Sequence, residues 1–76
     1  ITIKKFNDST SVLIAFHLLN KNGLPINLWP LFDMLVLIHY EQEETSITMI
    51  YLPPSIFTTI LDYMRDRHDA NIVIRE

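Results

Sequence analysis

The stretch that decides the fold reads LWPLFDMLVLIHY and covers residues 28–40. Only Pro30, Asp33 and His39 in this stretch are not plainly apolar. A chain of 76 residues forms one small domain, and such domains bury only about 60% of the surface that their unfolded chains expose. Because so little interior is available, we expect part of this stretch to face another protein surface.

The residues around this stretch predict an apolar central helix. Asn27 is a suitable N-cap, and Pro30 would lie in the first helical turn, where its missing N–H has no partner to lose. With apolar side chains on every face, this helix would lie at the centre of the fold or be covered along one stripe by another chain. The predicted partner interface consists of Leu28, Trp29, Phe32, Leu35, Val36 and Tyr40.

The segment before this stretch predicts a strand followed by a helix. Apolar residues between Ile1 and Phe6 favour a short strand. Asp8, Ser9 or Thr10 can then cap a helix over residues 12–19 by accepting hydrogen bonds from free first-turn amides.

The segment after the stretch predicts a strand, a helix and a final strand. Residues 45–52 are rich in β-branched and aromatic side chains, which favours a strand, and Pro53 and Pro54 end it. Residues 55–67 follow with the cleanest helical stripe in the chain, and residues 71–75 close as a strand. The members of that stripe are Ile56, Phe57, Ile60, Leu61 and Met64.

Together these segments predict a small single α+β domain spanning residues 1–76. It would have three helices and two or three short strands, in the order β-α-α-β-α-β. An alternative places a helix at residues 46–52, which makes the second half winged-helix-like, with residues 55–67 as the recognition helix. Because the sequence opens on Ile1, we expect it to be a fragment or one domain of a longer chain.

Composition limits the functional classes. The chain has no cysteine, which excludes disulfides and thiolate zinc sites and favours the cytoplasm, although localisation is otherwise open. No apolar run approaches the roughly 18 to 20 residues of a membrane span. The formal net charge is −3, which argues against indiscriminate nucleic-acid binding over the whole surface.

The sequence contains no recognisable catalytic or cofactor motif. Gly23 is the only glycine, so a glycine-rich phosphate cradle cannot form, and no GxSxG elbow is present. His17, His39 and His68 lie on three different predicted elements without metal-ligand spacing. We expect His17 and His39 to be hydrogen-bonded core or interface histidines, and His68 to be a solvated residue near a helix end. We therefore expect no enzyme activity, no cofactor, no metal site and no small-molecule substrate.

Two functional hypotheses follow. The first is a non-catalytic protein–protein interaction or oligomerisation module whose apolar central helix packs on another chain, on the rest of its own chain, or on a second copy in a homodimer. The second is a winged-helix-like DNA-binding regulator that uses the helix over residues 55–67. Its predicted DNA contacts are Ser55, Thr58, Thr59, Arg65 and Arg67.

Overall fold

The structure, a computed structural model, describes residues 1–67 and 71–76, and the side chain of Arg67 lies outside that description. Within these described residues, two helices and five strands form a mixed α+β domain. In chain order they are β1 (Thr2–Lys5), α1 (Ser9–Leu19), β2 (Ile26–Leu31), β3 (Met34–Glu41), β4 (Glu44–Tyr51), α2 (Pro54–Arg67) and β5 (Ile72–Ile74).

The five strands form one sheet in the order β1-β4-β3-β2-β5. The central strand β3 is antiparallel to both neighbours, whereas β1 pairs parallel with β4 and β5 pairs parallel with β2. Two crossovers, β1-α1-β2 and β4-α2-β5, run in the same direction across the sheet. Since such crossovers are right-handed, both helices lie on one face of the sheet, where they contact each other.

The core fills the space between the sheet and this helical layer. Its buried members come from both helices, from alternate residues of β2 and β3, and from the end of β4 and the residue that follows it. They are Val12, Phe16, Ile26, Leu28, Leu35, Leu37, Ile50, Leu52, Ile60, Leu61 and Met64. The α2 members belong to the predicted helical stripe, and the helix predicted over residues 55–67 is confirmed, with a start at Pro54.

Capping at Asp8 fixes the start of α1. The Asp8 side chain accepts a hydrogen bond from the backbone N–H of Ser11 at 2.7 Å and one from the Ser11 hydroxyl at 2.9 Å. The backbone bond, followed by the hydroxyl bond, lowers the pKa of the Asp8 carboxyl below its ordinary value, because both stabilise the charged form. The helix predicted over residues 12–19 is therefore confirmed, with a start at Ser9.

The prediction of three helices is wrong, because residues 28–40 form a β-hairpin. They make up most of β2 and β3, which are joined by Phe32 and Asp33. A strand that is apolar on both faces has the same continuous pattern as a buried helix, so periodicity does not separate the two. Pro30 fits in β2 because β5 pairs only as far as Leu28 and leaves that side of the strand open.

The winged-helix fold is also wrong, for a related reason. It requires helices at residues 28–40 and 46–52, and both segments are strands of the sheet. The strand interpretation of residues 45–52 is confirmed as β4, and the predicted first and last strands are present as β1 and β5. The coarse α+β class holds, with two helices and five strands in the described part of the chain in place of three helices and two or three strands.

Both hairpins turn through only two residues, and neither turn contains glycine. The β2–β3 turn holds Phe32 at φ 55, and the β3–β4 turn holds Gln42 at φ 51 and Glu43 at φ 66. These positive φ angles suit the tight hairpin turns in which glycine or asparagine is usual. The chain therefore carries backbone strain at both hairpin ends.

Candidate functional site

The strands present two apolar faces, and the helices cover only one of them. Along β3, Leu35 and Leu37 are fully buried beneath the helices, whereas Val36 and Ile38 point to the opposite side and are half-buried. Along β2, Leu28 is buried and Trp29 lies on that opposite side. Among the described residues no helix packs against this second side, which we call the open face.

The strand register assigns residues from all five strands to the open face. Val36 pairs with Met49 and with Trp29, and Met49 pairs with Ile3, so one apolar row crosses four adjacent strands. The open face contains Ile3, Lys5, Asn27, Trp29, Leu31, Met34, Val36, Ile38, Tyr40, Thr45, Ile47, Met49, Tyr51 and Val73. Most of these side chains are apolar, which is unusual for a sheet surface that water can reach.

The charges on the open face lie at its margins. Lys5 ends the edge strand β1, and Arg75 follows the other edge strand, β5. The Arg75 Nε donates a hydrogen bond to the Asn27 Oδ1 at 3.1 Å, which holds the guanidinium at this margin. No carboxylate occupies an open-face position on the described strands.

A cleft of about 370 Å³ lies where β1 and β4 end. We call it the terminal cleft. Backbone hydrogen bonds hold its walls together, from the N–H of Phe6 to the carbonyl of Tyr51 at 3.1 Å and from the N–H of Leu52 to the carbonyl of Asp33 at 3.0 Å. Its lining residues are Lys5, Phe6, Asn7, Asp33, Tyr51, Leu52, Pro53 and Pro54. Because Lys5 and Tyr51 also belong to the open face, the two features are continuous.

Phe32 is the most exposed large apolar side chain of the described residues, at 96%. It occupies the β2–β3 turn immediately before Asp33, a residue of the terminal cleft. A fully exposed aromatic ring on a strained turn contributes little packing energy to the folded monomer.

Among the residues that the structure describes, the covered face holds one buried polar pair. His39 is 3% exposed, and its Nε2 lies 2.9 Å from the hydroxyl oxygen of Thr48. A second cleft of about 230 Å³ adjoins His39 at the end of α1, and it falls below the roughly 300 Å³ at which small-molecule pockets begin. Across residues 1–67 and 71–76 no group of three or more potential metal ligands is present.

The structure separates the six predicted interface residues into three settings. Leu28 and Leu35 are fully buried in the core, whereas Trp29 and Val36 lie on the open face. Phe32 lies in the β2–β3 turn, and Tyr40 is 52% exposed near the far end of β3. The predicted interface lacks Ile38, Ile47, Met49 and Tyr51, which the register brings beside Val36. For Ile47, Met49 and Tyr51 the available signal was the β-branched and aromatic composition of residues 45–52, whereas β3 is apolar on both faces and its sequence gives no such signal.

The predicted DNA contacts lie on α2 and are partly engaged within the chain. The hydroxyls of Thr58 and Thr59 donate to the carbonyls of Pro54 and Ser55, one turn earlier. Arg65 forms ion pairs with Asp62 and Glu76. Ser55 is exposed in the first turn of α2, and the side chain of Arg67 is outside the described residues. DNA binding through this helix stays a prediction.

Comparisons with known proteins assign no family. No family model matches the chain. No curated protein matches it. No solved structure matches it either. Within the described residues, no helix combines the length and the apolar character that a membrane crossing requires.

Proposed function

We propose that the chain is a non-catalytic protein interaction module that self-associates through the open face of its sheet. The observation that carries this proposal is the apolar row Trp29, Val36, Met49 and Ile3, which crosses four strands and which no helix of the described residues covers. Two such faces can pack as the layers of a β-sandwich, with their strands nearly aligned and the sheets about 10 Å apart.

The size of the open face suits a small dimer. When β1 and β4 of one copy lie over β2 and β3 of the other, four strands overlap. With about 4.8 Å between strands and roughly 6.5 residues of about 3.3 Å in each, the footprint is roughly 400 Å² per copy. Two copies then bury roughly 800 Å², which is below the roughly 1,000 Å² expected of a specific protein interface. The flat face alone therefore supports a weak dimer, and its affinity would depend on a few well-packed residues.

Charge favours a second copy as the occupant. Lys5 and Asp33 lie at the same end of the sheet, Lys5 on the edge strand β1 and Asp33 at the junction of β2 and β3. A twofold axis parallel to the strands, between β4 and β3, places β1 of one copy over β2 of the other. Lys5 of each copy then faces Asp33 of the second copy, which supplies the carboxylate that the open face lacks.

The test is the molar mass of the purified chain by sedimentation equilibrium over about a hundredfold range of concentration. We expect the mass to rise from one chain to two. The double variant Val36→Lys with Met49→Glu should stay monomeric, because it makes the centre of the face polar, while its opposite charges on paired positions maintain strand pairing. Circular dichroism should show that the variant is folded.

The matched control is Ile14→Lys, which places a charge on an α1 side chain that is 56% exposed on the helical side. This variant should associate like the natural chain. A single-chain mass for the natural sequence at every concentration would overturn the proposal. If the Val36→Lys and Met49→Glu variant and the Ile14→Lys variant weakened dimerisation equally, association would not use the open face.

A further inference from the structure

We infer that each copy anchors the dimer by inserting Phe32 into the terminal cleft of the other copy. The inference rests on the proposed self-association and adds to it the residue and the pocket that determine register. Phe32 is 96% exposed, so its ring does not fill the cleft of its own chain, although the next residue, Asp33, lines that cleft.

The chemistry of the terminal cleft matches an aromatic side chain. Its volume of about 370 Å³ admits a phenyl ring, and Phe6, Tyr51 and Leu52 supply apolar and aromatic wall. Aromatic rings gain energy from offset or edge-to-face contacts beyond the burial of their surface. Pro53 and Pro54 restrict the backbone on one side, so the cleft is largely formed before binding.

Twofold symmetry makes the exchange reciprocal. The cleft lies at the ends of β1 and β4, whereas Phe32 lies at the same end of the sheet between β2 and β3. The axis that brings Lys5 of one copy to Asp33 of the other also brings each Phe32 opposite the cleft of the second copy. A closed dimer with two identical contacts follows, as expected for an isologous interface.

The Phe32 contact also supplies a large side chain buried in a pocket, which the flat open face lacks. A footprint below the usual size of specific interfaces needs a pocket filled by a large side chain to reach useful affinity. Phe32 is held at φ 55, where an aromatic residue is disfavoured and glycine is favoured. The turn therefore presents a ring at the expense of the monomer's own stability, and this combination is typical of a binding residue.

The first experiment replaces Phe32 with glycine and measures two properties. Dimerisation should weaken by at least about a hundredfold, because two buried rings are lost from each dimer. Urea unfolding of the dilute monomer should move to higher urea concentration, because glycine relieves the positive φ. Opposite changes in association and monomer stability separate the anchor from a residue that only supports folding.

The second experiment tests the pocket by complementation. Asn7→Trp should fill the cleft from an exposed position and weaken self-association, although Phe32 is still present. An equimolar mixture of Phe32→Gly and Asn7→Trp should then dimerise more tightly than either variant alone. Only the mixed dimer retains one intact contact, in which Phe32 of the Asn7→Trp copy enters the open cleft of the Phe32→Gly copy.

The outcomes distinguish this inference from the proposed function. Undiminished dimerisation of Phe32→Gly, or a mixture no tighter than its components, would overturn the anchor and leave the open face as the interface. A natural chain that never dimerises would overturn both. A weakened Phe32→Gly variant that is rescued in the mixture supports both.

Discussion

The two faces of the sheet differ in what covers them far more than in their composition. Leu35 and Leu37 are fully buried beneath the helices, while Val36 and Ile38, their immediate neighbours in β3, lie half-buried on the open face. Hydrophobicity along a strand therefore does not show which face is the core. The direction of the two crossovers decides that, because it places both helices on one side.

The largest change in the free energy of unfolding is expected when two neighbouring residues on opposite faces of β3 are compared. Leu35→Ala should lower the free energy of unfolding by about 2–5 kcal/mol, because it leaves a cavity in the closed core. Val36→Thr preserves the strand preference and should change the unfolding of the dilute monomer by less than about 1 kcal/mol. Urea denaturation at low protein concentration measures both. Equal losses would show that the open face is closed within one chain.

The next effect concerns the buried polar pair on the covered face. Thr48→Val removes the hydroxyl that hydrogen-bonds the Nε2 of His39, and it should lower the free energy of unfolding by about 1–3 kcal/mol. Adding His39→Leu to Thr48→Val should recover part of that loss, because the imidazole is no longer buried without its partner.

A double-mutant cycle by urea denaturation measures this coupling. Additive losses for the two substitutions would contradict it. A comparable change on the open face, Thr45→Val, should have little effect on the monomer, because Thr45 is exposed.

A smaller gain is expected at the hairpin end far from the terminal cleft. Gln42→Asn with Glu43→Gly installs the residues that suit two positive φ angles, and it should raise the free energy of unfolding by about 1 kcal/mol. Dimerisation should be unchanged, in contrast to the loss expected for Phe32→Gly at the other hairpin. Thermal unfolding and sedimentation equilibrium measure the two effects. A loss of dimer would show that both hairpin ends take part in association.

The parts of the fold that could be predicted are those with local sequence signals, such as a capping residue, a proline or a regular apolar stripe. α1 and α2 were found because Asp8 caps the first, Pro54 opens the second, and a regular apolar stripe runs along α2. β4 was found from its β-branched residues. The β2–β3 hairpin was missed because Phe32 and Asp33 are not the usual residues of a two-residue turn, so nothing in the sequence marked a reversal within residues 28–40.

Less of the candidate site than of the fold could be predicted from the sequence. The excess of apolar surface and the presence of Trp29, Val36 and Phe32 followed from composition, but a helical geometry grouped them with Leu28 and Leu35, which are core residues. The contributions of β1 and β4 depend on strand order. Only the pairing of β4 with both β3 and β1 brings Met49 between Val36 and Ile3, and local sequence does not encode that neighbourhood.

The smallest effect is expected for duplex DNA, and it tests whether α2 is a second binding surface. Arg65 is already paired with Asp62 and Glu76, so binding DNA would first require those ion pairs to break. We expect Arg65→Ala to leave DNA affinity unchanged, with only weak, salt-sensitive background binding in fluorescence anisotropy. A clear loss of affinity together with a salt slope reduced by about one would favour the DNA hypothesis. Since α2 lies on the helical side and the open face on the other, the same titration with Val36→Lys and Met49→Glu would then show whether the two surfaces act independently.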